Sequence, residues 1–144
     1  MLFVTFRAAG TRFALAARGV EEIVPLVRVS PLPGAPDYVA GVMNYRGASL
    51  PVADLTTLLA GRRSRPHAST RILVATAAPG LTAGFMAERA LKTIDLDPAG
   101  LKAPGAPAAP WVSGVATLPD GGMIEVLELS KVIPPALAAS LKAA

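Results

Sequence analysis

The chain has no cysteine and a single histidine, His67, among its 144 residues. Without cysteine there are no disulfides, no thiolate metal sites and no thiol nucleophile. One imidazole gives no basis for a histidine metal centre. His67 also follows Pro66 in an arginine-rich stretch, where a firmly held general base is not expected. Aromatic residues make up 5% of the chain and charged residues 17%. No apolar run reaches the roughly 18 residues of a membrane span, and Arg7 comes too early for the apolar region of a signal peptide. These absences predict a soluble, unprocessed, cytoplasmic protein with no direct membrane insertion. There is no glycine-rich phosphate loop, no G-x-S-x-G and no H-E-x-x-H. The adjacent Glu21 and Glu22 should point to opposite faces of a strand and so cannot share one substrate bond. No catalytic residue, metal site or cofactor is expected, and the chain is read as a non-enzyme.

What is present is apolar. Hydrophobic residues reach 52%, which excludes the disordered class. Much of that is alanine, so the core must rest on Leu, Ile, Val, Phe and Met. The formal net charge of +4 and a pI near 10.0 allow a basic β-barrel that binds nucleic acid as the alternative reading. The excess is concentrated at Arg62, Arg63, Arg65 and Arg71, however, and no aromatic residue stands between these arginines to stack on a base. A solvated surface loop is the expectation there.

Short strands dominate the pattern. "LFVTFR" alternates, "AAGT" turns, and "RFALA" returns with Phe13 and Leu15 on one side, giving an opening hairpin. "GVEEIVPLVRV" is predicted as an edge strand or a bent one, because Pro25 cannot donate a ladder hydrogen bond. A short helix is expected from about Pro36 to Gly41. "GVMNYRG" and "ASLPVADL" should pair around Gly47, and "DLTTLLAG" should form a helix capped by Asp54 and stopped by Gly61. "TRILVATA" reads as a strand buried on both faces. "GLTAGFMAE" and "LKTIDL" read as two further strands, and residues 98–110 as a mobile Pro/Ala-rich surface loop. "PDGG" closes a last hairpin, and a helix begins at Pro134 and Pro135. Nine or ten short strands at regular spacing indicate a mainly β protein of barrel or sandwich type.

Three runs in the first 55 residues carry the functional signal. Val20, Glu22 and Ile23 form a V-x-E-I element. Pro36, Val39, Gly41, Val42, Asn44, Tyr45, Arg46 and Gly47 follow, and then Leu50, Pro51, Val52, Ala53, Asp54 and Leu55. In order and spacing these resemble the CheW-like family, the coupling proteins of bacterial chemotaxis arrays. The resemblance continues more weakly through Gly84, Glu88 and Ala90, and through Gly114, Met123, Ile124, Leu127, Glu128, Leu129 and Lys131. Five residues depart from the family pattern. Tyr45 replaces a leucine, Glu88 and Glu128 replace aspartates, Thr56 stands where arginine is frequent, and Glu125 occupies a position that is usually apolar. A buried unpaired carboxylate at Glu125 would be costly, so the last strand is expected to be an edge or to face a partner.

The resemblance implies one CheW-like domain over residues 1–144, made of two small five-stranded SH3-like barrels sharing an apolar core, with short helices and a C-terminal helix. It implies a non-catalytic signalling adaptor, clustered at receptor arrays, whose partners are the regulatory domain of a CheA-type histidine kinase and the cytoplasmic tip of methyl-accepting chemoreceptors. A free-standing coupling protein is expected, since no kinase or receiver domain is visible. Carried over by position, Val20, Glu22, Ile23, Asn44 and Arg46 are the receptor-side candidates, and Gly41 and Val42 the kinase-side ones. Gly47, Pro51 and Asp54 are structural candidates. Glu22 and Arg46 could also simply pair with each other and fix a turn.

Overall fold

The computed structural model describes the backbone from Met1 to Ala143 and the side chains as far as Ala139. Strands β1 (Leu2–Ala8) and β2 (Thr11–Ala16) form the opening hairpin, and a short 3₁₀ turn, Ala17–Gly19, leads to β3 (Val20–Pro25). Next come β4 (Val39–Tyr45), β5 (Ala48–Asp54), helix α1 (Leu55–Ala60), β6 (Arg71–Ala78) and β7 (Leu81–Asp95). The chain ends with β8 (Val112–Thr117), β9 (Met123–Leu127), α2 (Leu129–Val132) and α3 (Pro135–Ala143). The architecture is therefore mainly β, as the sequence indicates, and α3 does begin at the double proline.

The strands divide into two groups that share β7. One contains β1, β2, β9, β8 and the C-terminal half of β7. The other contains β3, β6, β5, β4 and its N-terminal half. The pairing path runs β3-β6-β7-β1-β2-β9-β8, with β5 joining β7 and carrying β4. This path has two ends, so the hydrogen-bond ladder does not close into the two barrels expected from the sequence. The two predicted strands "GLTAGFMAE" and "LKTIDL" are one continuous strand of 15 residues. It bends where the register against β1 slips between Thr5 and Arg7, and Arg89 there adopts a φ of 51°. A bulge bends a strand without ending it.

Burial follows the same division. Phe3, Ala14, Ile124 and Val126 fill the first group, and Val24, Met43, Val52 and Ile72 fill the second. The largest cluster, which includes Phe6, Phe13, Leu15, Leu55, Leu73 and Phe85, takes residues from both groups and joins them. Phe6 and Phe13 stack at 5.6 Å between ring centroids. Strand β6 is buried on both faces because Leu73 and Ala75 enter the joining cluster while Ile72 enters the second core. In β1 the strict alternation fails at its start: Phe3 is buried and Leu2 is 54% exposed. Phe3 faces the first core, whereas Val4 and Phe6 face the joining one.

Two expectations need correction. No helix forms at Pro36; the Val39 N–H donates to the Pro36 carbonyl in a turn, and β4 starts at once. Gly41 is therefore not a helix stop but lies within the strand. There the Ser30 and Val42 backbones exchange two hydrogen bonds, and a Cβ on Gly41 would sit 2.1 Å from the Ser30 carbonyl oxygen. The last strand, β9, is not an edge: it pairs with β2 on one side and β8 on the other, and Glu125 stays half-exposed there, opposite Phe13 and Val115. Within residues 98–110, Pro98–Gly100 forms a 3₁₀ turn, and Lys102 exchanges two backbone hydrogen bonds with Val115.

Gly41→Ala should destabilise the protein by about 3 kcal/mol, read by chemical denaturation, because the Ser30 backbone must move to admit the methyl group. A pH effect is expected at the β8–β9 turn. The Gly122 N–H, and after it Arg12, hold the Asp120 carboxyl below the usual carboxylate range. Its stabilisation is present above the ordinary carboxylate pKa and is lost as pH falls through the lowered value. An NMR titration of the Asp120 carboxyl should show that Arg12→Ala moves it back towards the ordinary value.

Candidate partner-binding surface

The segment Asn44 to Ala48 is the tight turn of the β4–β5 hairpin. Tyr45 pairs with Ala48, leaving Arg46 and Gly47 as the two turn residues, with φ of 51° and 82°. Such a turn needs left-handed backbone at both positions, which glycine adopts freely and arginine does not. The Asn44 side chain accepts a hydrogen bond from the Gly47 N–H. Asn44 is thus engaged in shaping the turn.

The turn delivers Arg46 to β3. Its Nη2 lies 2.9 Å from Glu22 Oε1, and its Nη1 lies 3.6 Å from Glu21 Oε1. Sequence alternation had placed these two carboxylates on opposite faces. The register of β3 against β6 slips between Val20 and Glu22, and this bulge lets both reach one guanidinium. The Tyr45 hydroxyl donates to the same Glu22 Oε1 at 3.0 Å, and the Arg46 guanidinium stands 5.1 Å from the Tyr45 ring centroid. Tyr45 is half-buried against the second core, and its hydroxyl reaches the half-exposed Glu22. Desolvation, and then its bond to the Glu22 carboxylate, raise its pKa above the ordinary phenol value, against the opposing charge of Arg46.

The remaining candidates are dispersed. Ile23 is 39% exposed on β3, next to the cluster. Val20 is half-buried against the joining core, away from the turn, and lines a shallow groove with Leu15, Ala75 and Leu129. Gly41 and Val42 lie along β4, where Val42 is half-buried opposite Pro51. Pro51 is accommodated because the β5–β7 ladder starts only at Val52. Asp54 caps α1 as expected, accepting from the Thr56 and Thr57 N–H groups.

Asp54 also organises a buried network that sequence reasoning missed. Its carboxylate accepts from the Ser64 N–H at 2.8 Å and from the Ser64 hydroxyl at 2.7 Å. Thr56 Oγ1 lies 2.8 Å from Ser64 Oγ and donates to Glu88 Oε2 at 3.3 Å, and Glu88 also pairs with Arg62 at 3.7 Å. Two of the departures from the family pattern, Thr56 and Glu88, are thus bonded to each other. Arg62 from the arginine-rich loop supplies a positive charge to Glu88. The loop itself is tied to the core. His67 is exposed and bonded locally to Ser69.

Comparison with known proteins places this arrangement. The family model described as CheW-like domain matches residues 2–136. The chain belongs to the CheW-like family. That family consists of non-catalytic scaffolds of chemotaxis-type signalling. Among its relatives, Chemotaxis protein CheW of Rhizobium meliloti is 36% identical over 72 residues, 50% of this chain and 46% of that protein. Protein FrzA of Myxococcus xanthus is 32% identical over 85 residues, 59% of this chain and 50% of that one. The chain thus matches about half the length of these curated relatives. The crystal structure of the scaffolding protein TtCheW from Thermoanaerobacter tengcongensis superposes with a TM-score of 0.81 over 92% of this chain and 87% of that one, at 24% identity, and shares the fold. Among the described residues, no helix is long and apolar enough to cross a membrane.

Replacing Glu22 by Gln should move the Tyr45 titration back towards the ordinary phenol pKa, followed by ultraviolet absorbance. A phenol whose pKa is raised by folding contributes stability that is present below its unfolded pKa and lost as pH rises through the folded value. The variant should flatten that alkaline loss.

Proposed function

We propose that this CheW-like domain acts in the cytoplasm as an adaptor, linking the tip of methyl-accepting chemoreceptors to the regulatory domain of a CheA-type histidine kinase. The observation that carries the receptor-side reading is the Glu21–Glu22–Tyr45–Arg46 corner. An arginine is held in left-handed backbone on a hairpin tip, 67% exposed at its side chain, and is pre-oriented by carboxylates from the end strand of the pairing path. A guanidinium fixed in this way keeps donors free for a partner and loses little entropy when it binds. Exposed Ile23 supplies an apolar contact beside it. Asn44 supports the turn, and Val20 serves the groove between the two strand groups, where Leu15, Ala75 and Leu129 offer apolar contacts to the apolar stripe of a receptor helix.

The kinase-side surface is assigned to Val42, with Gly41 acting by allowing the close approach of Ser30. This fits packing of a homologous domain against the outside of the β4–β5 hairpin. Coupling by such surfaces needs no nucleophile and no cofactor.

Arg46→Glu is the direct test, because it places a third carboxylate beside Glu21 and Glu22. Pull-downs with a receptor cytoplasmic fragment should show binding weakened about tenfold or more, with kinase-domain binding retained and circular dichroism unchanged. Retention of receptor binding by the folded variant would remove Arg46 from the interface. Val42→Glu should show the reverse selectivity.

A further inference from the structure

The four arginines of the 62–71 segment are not all solvated independently. Arg62, Arg65 and His67 form one wall of a groove of about 430 Å³, and Arg7 from β1 and Arg89 from β7 form the other. Arg7 and Arg89 also line an adjoining groove of about 630 Å³ with Arg12, Leu91 and Lys92. The two grooves share Arg7 and Arg89, and together they make a trough bordered by six cations, Arg7, Arg12, Arg62, Arg65, Arg89 and Lys92, against two carboxylates, Glu88 and Asp120. That surplus of four equals the formal net charge of +4 carried by the whole chain.

The carboxylates present are already committed. Glu88 is bonded to Thr56 and paired with Arg62, and Asp120 is paired with Arg12 at 2.9 Å. Among the described residues, Arg7, Arg65, Arg89 and Lys92 make no ion pair. Arg89 sits at the bulge of β7 with a φ of 51°, a conformation glycine would adopt without cost and that here presents a guanidinium. Beside it Leu91 is 57% exposed.

We propose that this trough docks an extended, carboxylate-rich segment of a partner protein that also carries an apolar side chain to seat on Leu91. Unpaired guanidiniums in a concave site match carboxylates in charge and in planar, two-pronged hydrogen bonding. The two adjoining volumes exceed what one phosphate fills. Phe6 lines the second groove but is only 1% exposed, so it gives no face on which a base could stack. An apolar side chain set among cations suits a peptide of mixed acidic and apolar residues. This surface goes beyond the coupling role proposed above and shares no lining residue with the Glu22–Arg46 corner, so either can fail without the other.

The test is fluorescence anisotropy on the intact chain with a labelled acidic peptide of about twelve residues, rich in Glu and Asp with a central leucine. A glutamine-substituted peptide, an oligothymidylate of equal length and phosphatidylglycerol vesicles serve as rivals. The acidic peptide should bind preferentially, and its affinity should fall as salt is raised. The double variant Arg7→Glu, Arg65→Glu should weaken binding about tenfold or more. Arg89→Gly keeps the left-handed backbone without strain, so it should weaken binding while Tm stays unchanged or rises. Leu91→Ser should weaken binding and leave its salt dependence intact. Binding that is absent, or indifferent to Arg7→Glu, Arg65→Glu and to Arg89→Gly, overturns the proposal. Preference for oligothymidylate or for vesicles also overturns it, assigning the trough to nucleic acid or to a lipid surface.

Discussion

Strand β7 is shared by the two strand groups: its first half pairs with β6 and β5, and its second half pairs with β1. Both groups must therefore agree on one backbone path. The bulge at Glu88–Arg89–Ala90 lies where the strand passes from one group to the other, and the residues around that bend serve both halves. Ala90 belongs to the joining core, and Glu88 reaches back to Thr56 and Arg62. A bulged strand of this kind substitutes for a linker, because it carries ladder hydrogen bonds through the turn between halves instead of interrupting them. The joining cluster around Phe6, Phe13 and Phe85 can then be continuous.

From that constraint the surfaces follow. On one side of the shared strand, β6 carries the end strand β3, and β5 carries the β4–β5 hairpin, whose tip brings Arg46 to the carboxylates of β3. On the other side, β1 brings Arg7 opposite Glu88. The α1 cap at Asp54 does double duty. It satisfies the first N–H groups of the helix, and through Ser64 it pins the loop that bears Arg62 and Arg65. A buried carboxylate accepting several hydrogen bonds is well compensated, and it converts a run of arginines into a positioned wall.

The departures from the family pattern also find physical reasons. Thr56 is fully buried and hydrogen-bonds to Glu88, so the two form one unit, with Arg62 as its cation. Tyr45 keeps an apolar ring on the second core, as a leucine would. It adds a hydroxyl that bonds Glu22 and a face that lies near Arg46. Glu125 remains half-exposed on an internal strand, which avoids burying an unpaired charge.

Local chemistry is what the sequence could determine alone. The placing of Phe13 and Leu15 on one side of "RFALA", the Asp54 cap, the Gly61 stop, the turns at Gly10, Gly47 and Gly121 and the double proline at the start of α3 depend on residues close in the chain, and all are found in the structure. The ordered motifs from Val20 to Leu55 likewise carried the family. What tertiary structure decided are the matters that depend on partners distant in sequence. Two short predicted strands became the single bent β7 because β1 and β6 both pair with it. Gly41 lies in a strand because Ser30 approaches it, and Glu21 joins Glu22 at Arg46 because a bulge breaks the alternation. The basic trough takes its walls from β1, β7 and the 62–71 segment, and only long-range pairing could gather those charges, since no local rule of spacing relates Arg7 to Arg65 or Arg89.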